Sequence, residues 1–183
     1  MEMNEKNSMK KISALILLLL LTTASCEKDD ICAETTATTP KLILRFYDIT
    51  SQEETKSVIG LRVTSFDANN IEEEISNLNI TTTDSINLPL HTGVNITKFT
   101  FHKEYEAIIN TEGDTISIEG NPDIVTIQYD REDIFVSRAC GFKTIFKDLT
   151  ISVENDAEKW IINSEIINST IEKNTSAHVK IFH

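Results

Sequence analysis

Ile124-Val125-Thr126-Ile127-Gln128-Tyr129, then Ile134-Phe135-Val136, then Phe142-Lys143-Thr144-Ile145-Phe146, then Leu149-Thr150-Ile151-Ser152-Val153 is the densest run of β-forming residues in the chain. Apolar residues recur at every second position, the period of a strand with one face buried and the other wet. Val125, Ile127 and Tyr129 form one row, which Asp130-Arg131-Glu132-Asp133 is expected to break. Phe142, Thr144 and Phe146 form a second row, and Leu149, Ile151 and Val153 a third.

The same period extends outward in both directions. Leu42, Leu44 and Phe46 alternate with Ile43, Arg45 and Tyr47, and Ile59, Leu61 and Val63 are expected inward with Arg62 and Thr64 outward. Ile86, Leu88 and Leu90 form another row, with Pro89 marking an edge strand or a strand with a bulge, because proline donates nothing to a ladder. Phe99 and Phe101 face inward, with Tyr105 continuing their row, and Ile116 and Ile118 share a face. Trp160 to Ile171 favours strand by its β-branched content, and Val179 and Ile181 belong to a last strand. Turns are expected at Thr92–Asn95, Asn110–Asp114 and Gly120–Asp123, and Asp67–Glu74 reads as a solvated acidic loop. Roughly eight to ten short strands without an amphipathic helix predict an all-β fold, an antiparallel β-sandwich of Ig-like or transthyretin-like kind.

The front of the chain obeys different rules. Lys6, Lys10 and Lys11 precede an apolar run from Ile12 to Leu21, and small residues lead to Cys26. Such an order describes a secretory signal peptide, and the run is about half of the roughly 20 residues that a spanning helix needs. The expected organisation is a signal at 1–25, a lipidated cysteine with an extended linker at 26–40, and the sandwich domain at 41–183. The linker is polar, β-branched and proline-terminated, so it is expected to be extended rather than helical.

Removing the signal takes away Glu2, Glu5 and three lysines. The 29 acids and 17 bases of the chain become 27 and 14, and the net charge goes from −12 to −13. An acidic surface of this size excludes nucleic acid, whose phosphates require Lys and Arg. Besides Cys26 the chain has two cysteines, Cys32 and Cys140. Export leads to an oxidising compartment, so the two are expected to pair and to pin the linker to the domain.

A search for chemistry finds little. His91, His102, His178 and His183 are scattered and in no metal-ligating spacing. Nucleophile elbow and glycine-rich phosphate loop are both absent from the sequence. No catalytic residue, metal ligand or cofactor is assigned, and the protein is expected not to be an enzyme. Ser137-Arg138-Ala139-Cys140-Gly141-Phe142-Lys143 has two readings: a recognition surface using Arg138 and Lys143, or a disulfide-bearing strand with a glycine bulge. Tyr47, Tyr105 and Trp160 are the aromatics a glycan site would need, and core packing is the other role open to each.

Thr23-Ala24-Ser25-Cys26 resembles the lipobox of bacterial lipoproteins, with Thr23 where leucine is usual. The resemblance implies a diacylglyceryl group on the Cys26 thiol. Cys26-Glu27-Lys28-Asp29-Asp30 resembles the signal that exports Bacteroidota lipoproteins to the outer face of the outer membrane, which assigns Lys28, Asp29 and Asp30 to export. Asp84-Ser85-Ile86 and Asp114-Thr115-Ile116 resemble the O-glycosylation motif of the same bacteria. Taken with Cys26 to Glu34, the stretches Thr38 to Leu42, Arg45 to Asp48, Phe135 to Lys143 and His178 to Phe182 resemble a family of uncharacterised flavobacterial lipoproteins. That resemblance implies a surface-exposed, lipid-anchored outer-membrane protein with an outer-membrane β-barrel protein or a glycan as partner. A glycan-binding module or an accessory of an envelope-polymer hydrolase is the alternative.

Overall fold

The computed structural model describes residues 31–183 except Ala37 and Ala68. The described residues divide into two compact units, residues 31–36 with 136–141 and residues 38–135 with 142–183. In the smaller unit Cys32 and Cys140 are joined by a disulfide with Cα atoms 4.9 Å apart. Thr36 N–H donates to Ala33 O, and Cys140 N–H donates to Ser137 Oγ.

The larger unit is a two-sheet sandwich, and all ten strands of the described chain are accounted for in its sheets. The strands are β1 (Leu42–Tyr47), β2 (Val58–Phe66), β3 (Glu72–Glu74), β4 (Thr81–Thr83), β5 (Ser85–Leu88), β6 (Ile96–Ile109), β7 (Thr115–Ser137), β8 (Gly141–Val153), β9 (Asn163–Ile166) and β10 (Val179–Phe182). One sheet has the order β5-β1-β10-β9. The other runs β3-β2-β6-β7-β8, with β4 also pairing β2. Pairing is antiparallel except between β1 and β10, which run parallel with Leu44 opposite Val179 and Phe46 opposite Ile181.

The core lies between the sheets. Leu42, Leu44, Phe46, Ile86, Leu88, Val179 and Ile181 come from the smaller sheet, and Leu61, Val63, Phe99, Phe101, Val125, Ile127 and Phe146 from the larger. These are the expected alternating rows, since burying one face of each sheet puts every second side chain inside. Trp160 and Ile161, before β9, and Ile171, after it, belong to the same cluster, so the segments on both sides of β9 close the core. Leu90 is buried too, and β5 is an edge strand, as Pro89 implied.

Several local expectations fail, and bulges explain most of the failures. Ile59 is exposed while Val58 is fully buried, because Gly60 adopts φ 59° and the β2–β4 register shifts between Val58 and Leu61. Tyr105 leaves the Phe99–Phe101 row because Glu104 sits at φ 54° in a β6 bulge, where the register with β7 slips between Lys103 and Glu106. A bulge inserts one residue and so inverts the alternation beyond it. The Tyr105 ring therefore meets His102 edge-on, centroids 4.9 Å apart.

The expected breaks at Gly120–Asp123 and Asp130–Asp133 do not occur, because β7 runs through both. Charges in the second stretch find cross-strand partners on β8: Glu132 pairs with Lys147, and Asp133 accepts from Thr144 Oγ1 at 2.6 Å. Pro122 is tolerated because Glu154 N–H, just past β8, already bonds Ile124 O, so β7 has no β8 neighbour left at Pro122. Asp67–Glu74 is only partly a loop. Asp67 Oδ1 accepts from Asn69 and Ile71 N–H, forming a turn that lets Glu72–Glu74 return as β3.

Candidate functional site

The bridged turn of the smaller unit is Arg138-Ala139-Cys140, closed by Gly141 at φ 69°. A residue in the left-handed region after a tight turn returns the chain into the next strand, and glycine adopts it without a Cβ penalty. Of the two readings of Ser137–Lys143, the disulfide-bearing one has its Cys32–Cys140 bridge, and its glycine, Gly141, closes a hairpin turn at 138–140 rather than interrupting a continuous strand. The two cations are placed in different elements: Arg138 is exposed in the turn and Lys143 is half-buried in β8.

In the larger unit, Phe135 and Phe142 make an edge-on pair with centroids 5.4 Å apart, and they are 57% and 67% exposed. Phe142 shares the strand parity of buried Thr144 and Phe146, so alternation alone assigns it to the interior. The signal that could have found this pair is its position. Phe135 is two residues from the end of β7 and Phe142 one from the start of β8, strands of 23 and 13 residues, whereas β1, β5, β9 and β10 have only four to six. Strands of four to six residues are too short to cover the full length of such a hairpin.

The other aromatics are committed elsewhere. Trp160 is buried, its Nε1–H donates to Phe101 O at 3.2 Å, and its ring packs on Phe46 and His183. Tyr47 and Tyr105 are half-buried under cations, with Lys180 Nζ 5.1 Å and Arg62 Cζ 4.7 Å from the ring centroids. Arg62 also pairs with Glu74 at 2.9 Å. Two depressions open to solvent, about 450 Å³ beside Asn95, Ile96, Gln128, Asp130 and Asp148, and about 270 Å³ beside Arg45, Asn87, Asn174 and Ser176. Neither presents an exposed ring, since the Tyr129 that lines the first is itself buried.

The titratable groups with shifted behaviour serve the fold. Asp123 is fully buried; its Oδ2 accepts from Trp160 N–H at 3.1 Å and Ile161 N–H at 2.7 Å. Burial pushes its carboxyl pKa up, against the lowering effect of those two donors. His178 is buried with Nδ1 accepting from Ile43 N–H at 3.0 Å, while its backbone N–H donates to Ile43 O at 2.8 Å. Burial pushes the His178 and His102 pKa values down. The Thr50 hydroxyl and Lys56 hold Asp48 well below the usual carboxylate range.

The histidines therefore sit apart in structural roles, and among the described residues no three of His, Cys, Asp and Glu gather as a metal site. His91 Nε2 lies 3.1 Å from Phe66 O, and His183 Nε2 lies 3.2 Å from Lys56 O. Of the two O-glycosylation-like motifs, Ser85 is half-buried and donates to Leu44 O, whereas Thr115 is exposed beside the Asn110–Asp114 turn. Cys26, Lys28, Asp29 and Asp30 lie outside the described residues.

Searches of curated proteins and of solved structures gave no significant match. A family model matches residues 55–183, a stretch holding β2 to β10 but not β1, although β1 lies between β5 and β10 in its sheet. The chain thus belongs to a family of unknown function, DUF6452.

Proposed function

We propose that this protein is a lipid-anchored module of the outer membrane, exposed at the cell surface, that works by binding rather than by catalysis. Residues 1–25 act as the signal peptide, Cys26 carries the lipid, and Lys28, Asp29 and Asp30 direct export to the outer face. The observation that carries the reading is the order of a short apolar run, small residues and Cys26, with a bridged cysteine six residues further on. A disulfide belongs to an oxidising compartment, in keeping with export. Two or more acyl chains on one residue would hold the domain firmly, since each buried methylene adds about 0.8 kcal/mol. The partner is an envelope protein, such as an outer-membrane β-barrel, or a glycan.

Metabolic labelling with a clickable fatty acid tests the anchor. Label should enter the wild-type chain, and Cys26→Ser should abolish it and release the protein from membranes. A mature wild-type chain without label, or found free in the medium, would refute the proposal.

A further inference from the structure

The covalent geometry points to the exposed Phe135–Phe142 pair as a membrane-docking tip that the Cys32–Cys140 bridge holds against the bilayer surface. The inference rests on acylation of Cys26. From Cys26 to Cys32 is six residues, which fully extended reach about 20 Å. The bridge adds 4.9 Å between Cα atoms, and Phe142 follows Cys140 by two residues. Without the bridge, the first strand residue Leu42 lies sixteen residues from Cys26, a leash of about 55 Å. The disulfide thus cuts the tether to about half and delivers it to one point of the chain, Cys140, two residues from Phe142.

The chemistry of that point suits a lipid headgroup region. Phenylalanine is among the side chains that peripheral proteins bury at the headgroup–acyl boundary. The stretch Phe135–Lys143 carries no acid, in a chain of net charge −12. The other exposed apolar residues of β7, Ile116 and Ile118, are at its opposite end, on the order of 50 Å along the strand from Phe135. They serve as an internal control.

The test uses full-length lipidated protein carrying Phe142→Trp or Ile118→Trp, reconstituted in phosphatidylethanolamine–phosphatidylglycerol vesicles with brominated acyl chains. Native Trp160 is buried and contributes a constant background. In the Phe142→Trp protein the introduced indole should emit at shorter wavelength on vesicles than after lipase has released the chain into solution. Brominated lipid should remove most of that emission. The indole of Ile118→Trp should stay unquenched, and reduction of the bridge should restore most of the signal lost in Phe142→Trp. Acylated Phe142→Trp protein whose new indole stays open to iodide and unquenched would overturn the docking tip and leave the lipoprotein reading intact. Equal quenching in Ile118→Trp would do the same. Quenching that persists after reduction would overturn the role of the bridge. Absence of acyl groups on Cys26 by mass spectrometry would remove the reading on which the tip depends.

Discussion

Gly120→Ala places a methyl group where two backbones nearly touch. Gly120 has φ 105°, and an added Cβ would lie 2.4 Å from Glu104 O and 2.5 Å from Lys103 O. Both obstacles are backbone, on the bulge of β6, so no side chain can swing away. Holding an L-residue at such φ costs about 1–3 kcal/mol, and forcing a methyl into packed structure costs about 1–3 kcal/mol more. A total of about 2–6 kcal/mol is a large part of the roughly 5–15 kcal/mol typical of a domain. Gly113 separates the two effects, because its φ is 93° but nothing lies within 4 Å of an added Cβ. Gly113→Ala should therefore cost only the backbone share, about 1–3 kcal/mol. Urea denaturation of both variants, followed by Trp160 fluorescence, gives the two free energies and their difference. Equal losses for Gly113→Ala and Gly120→Ala would show that β6 and β7 do not approach as described, and the bulge explanation for Tyr105 would fall with them.

Other expected outcomes follow from the same physical terms. Asp123→Ala strips the acceptor from two buried N–H groups, each costing about 1–3 kcal/mol, whereas Asp123→Asn keeps one oxygen for both; urea midpoints should separate the two variants clearly. Reducing the Cys32–Cys140 bridge, whose ends are 108 residues apart, should cost up to about 4.7 kcal/mol by chain entropy, and both thiols should alkylate only after reductant, as read by mass and by thermal unfolding. Since His178 and His102 have folded pKa values below the ordinary 6.5, their contribution is complete above that pH and is lost as pH falls from there toward the folded values. Asp123 acts oppositely, because its raised pKa gives a penalty that acid relieves. His178→Asn should then flatten the fall of the denaturation midpoint between neutral and mildly acid pH, while Asp123→Asn should steepen it; equal slopes for wild type and His178→Asn would refute the assignment of the buried imidazole.

Much of the fold was legible because a strand writes its burial into the chain one residue at a time. Leu42, Leu44 and Phe46, or Val125, Ile127 and Tyr129, point inward in the structure as their spacing predicts. Acidic Glu72–Glu74 was not legible as a strand, since only the Asp67 turn and the free edge of β2 make pairing favourable there. The candidate site was legible in part. The cysteine pairing came from counting, and Arg138 and Lys143 came from their position, but the exposed phenylalanine pair beside them and the unbroken length of β7 did not. Residues before Ile31 carry the proposed anchor and rest on sequence alone.

By itself the sequence determined the alternation, and with it the all-β class, the inward rows and the pairing of two cysteines, because side chains on an extended backbone must face opposite ways in turn. Tertiary structure decided where that alternation is inverted, at Gly60 and Glu104, and which strands become neighbours, β1 beside β10 across nearly the whole domain. It also decided that Phe135 and Phe142 are exposed, because burial requires an opposing layer, and whether one exists depends on strands far away in the chain.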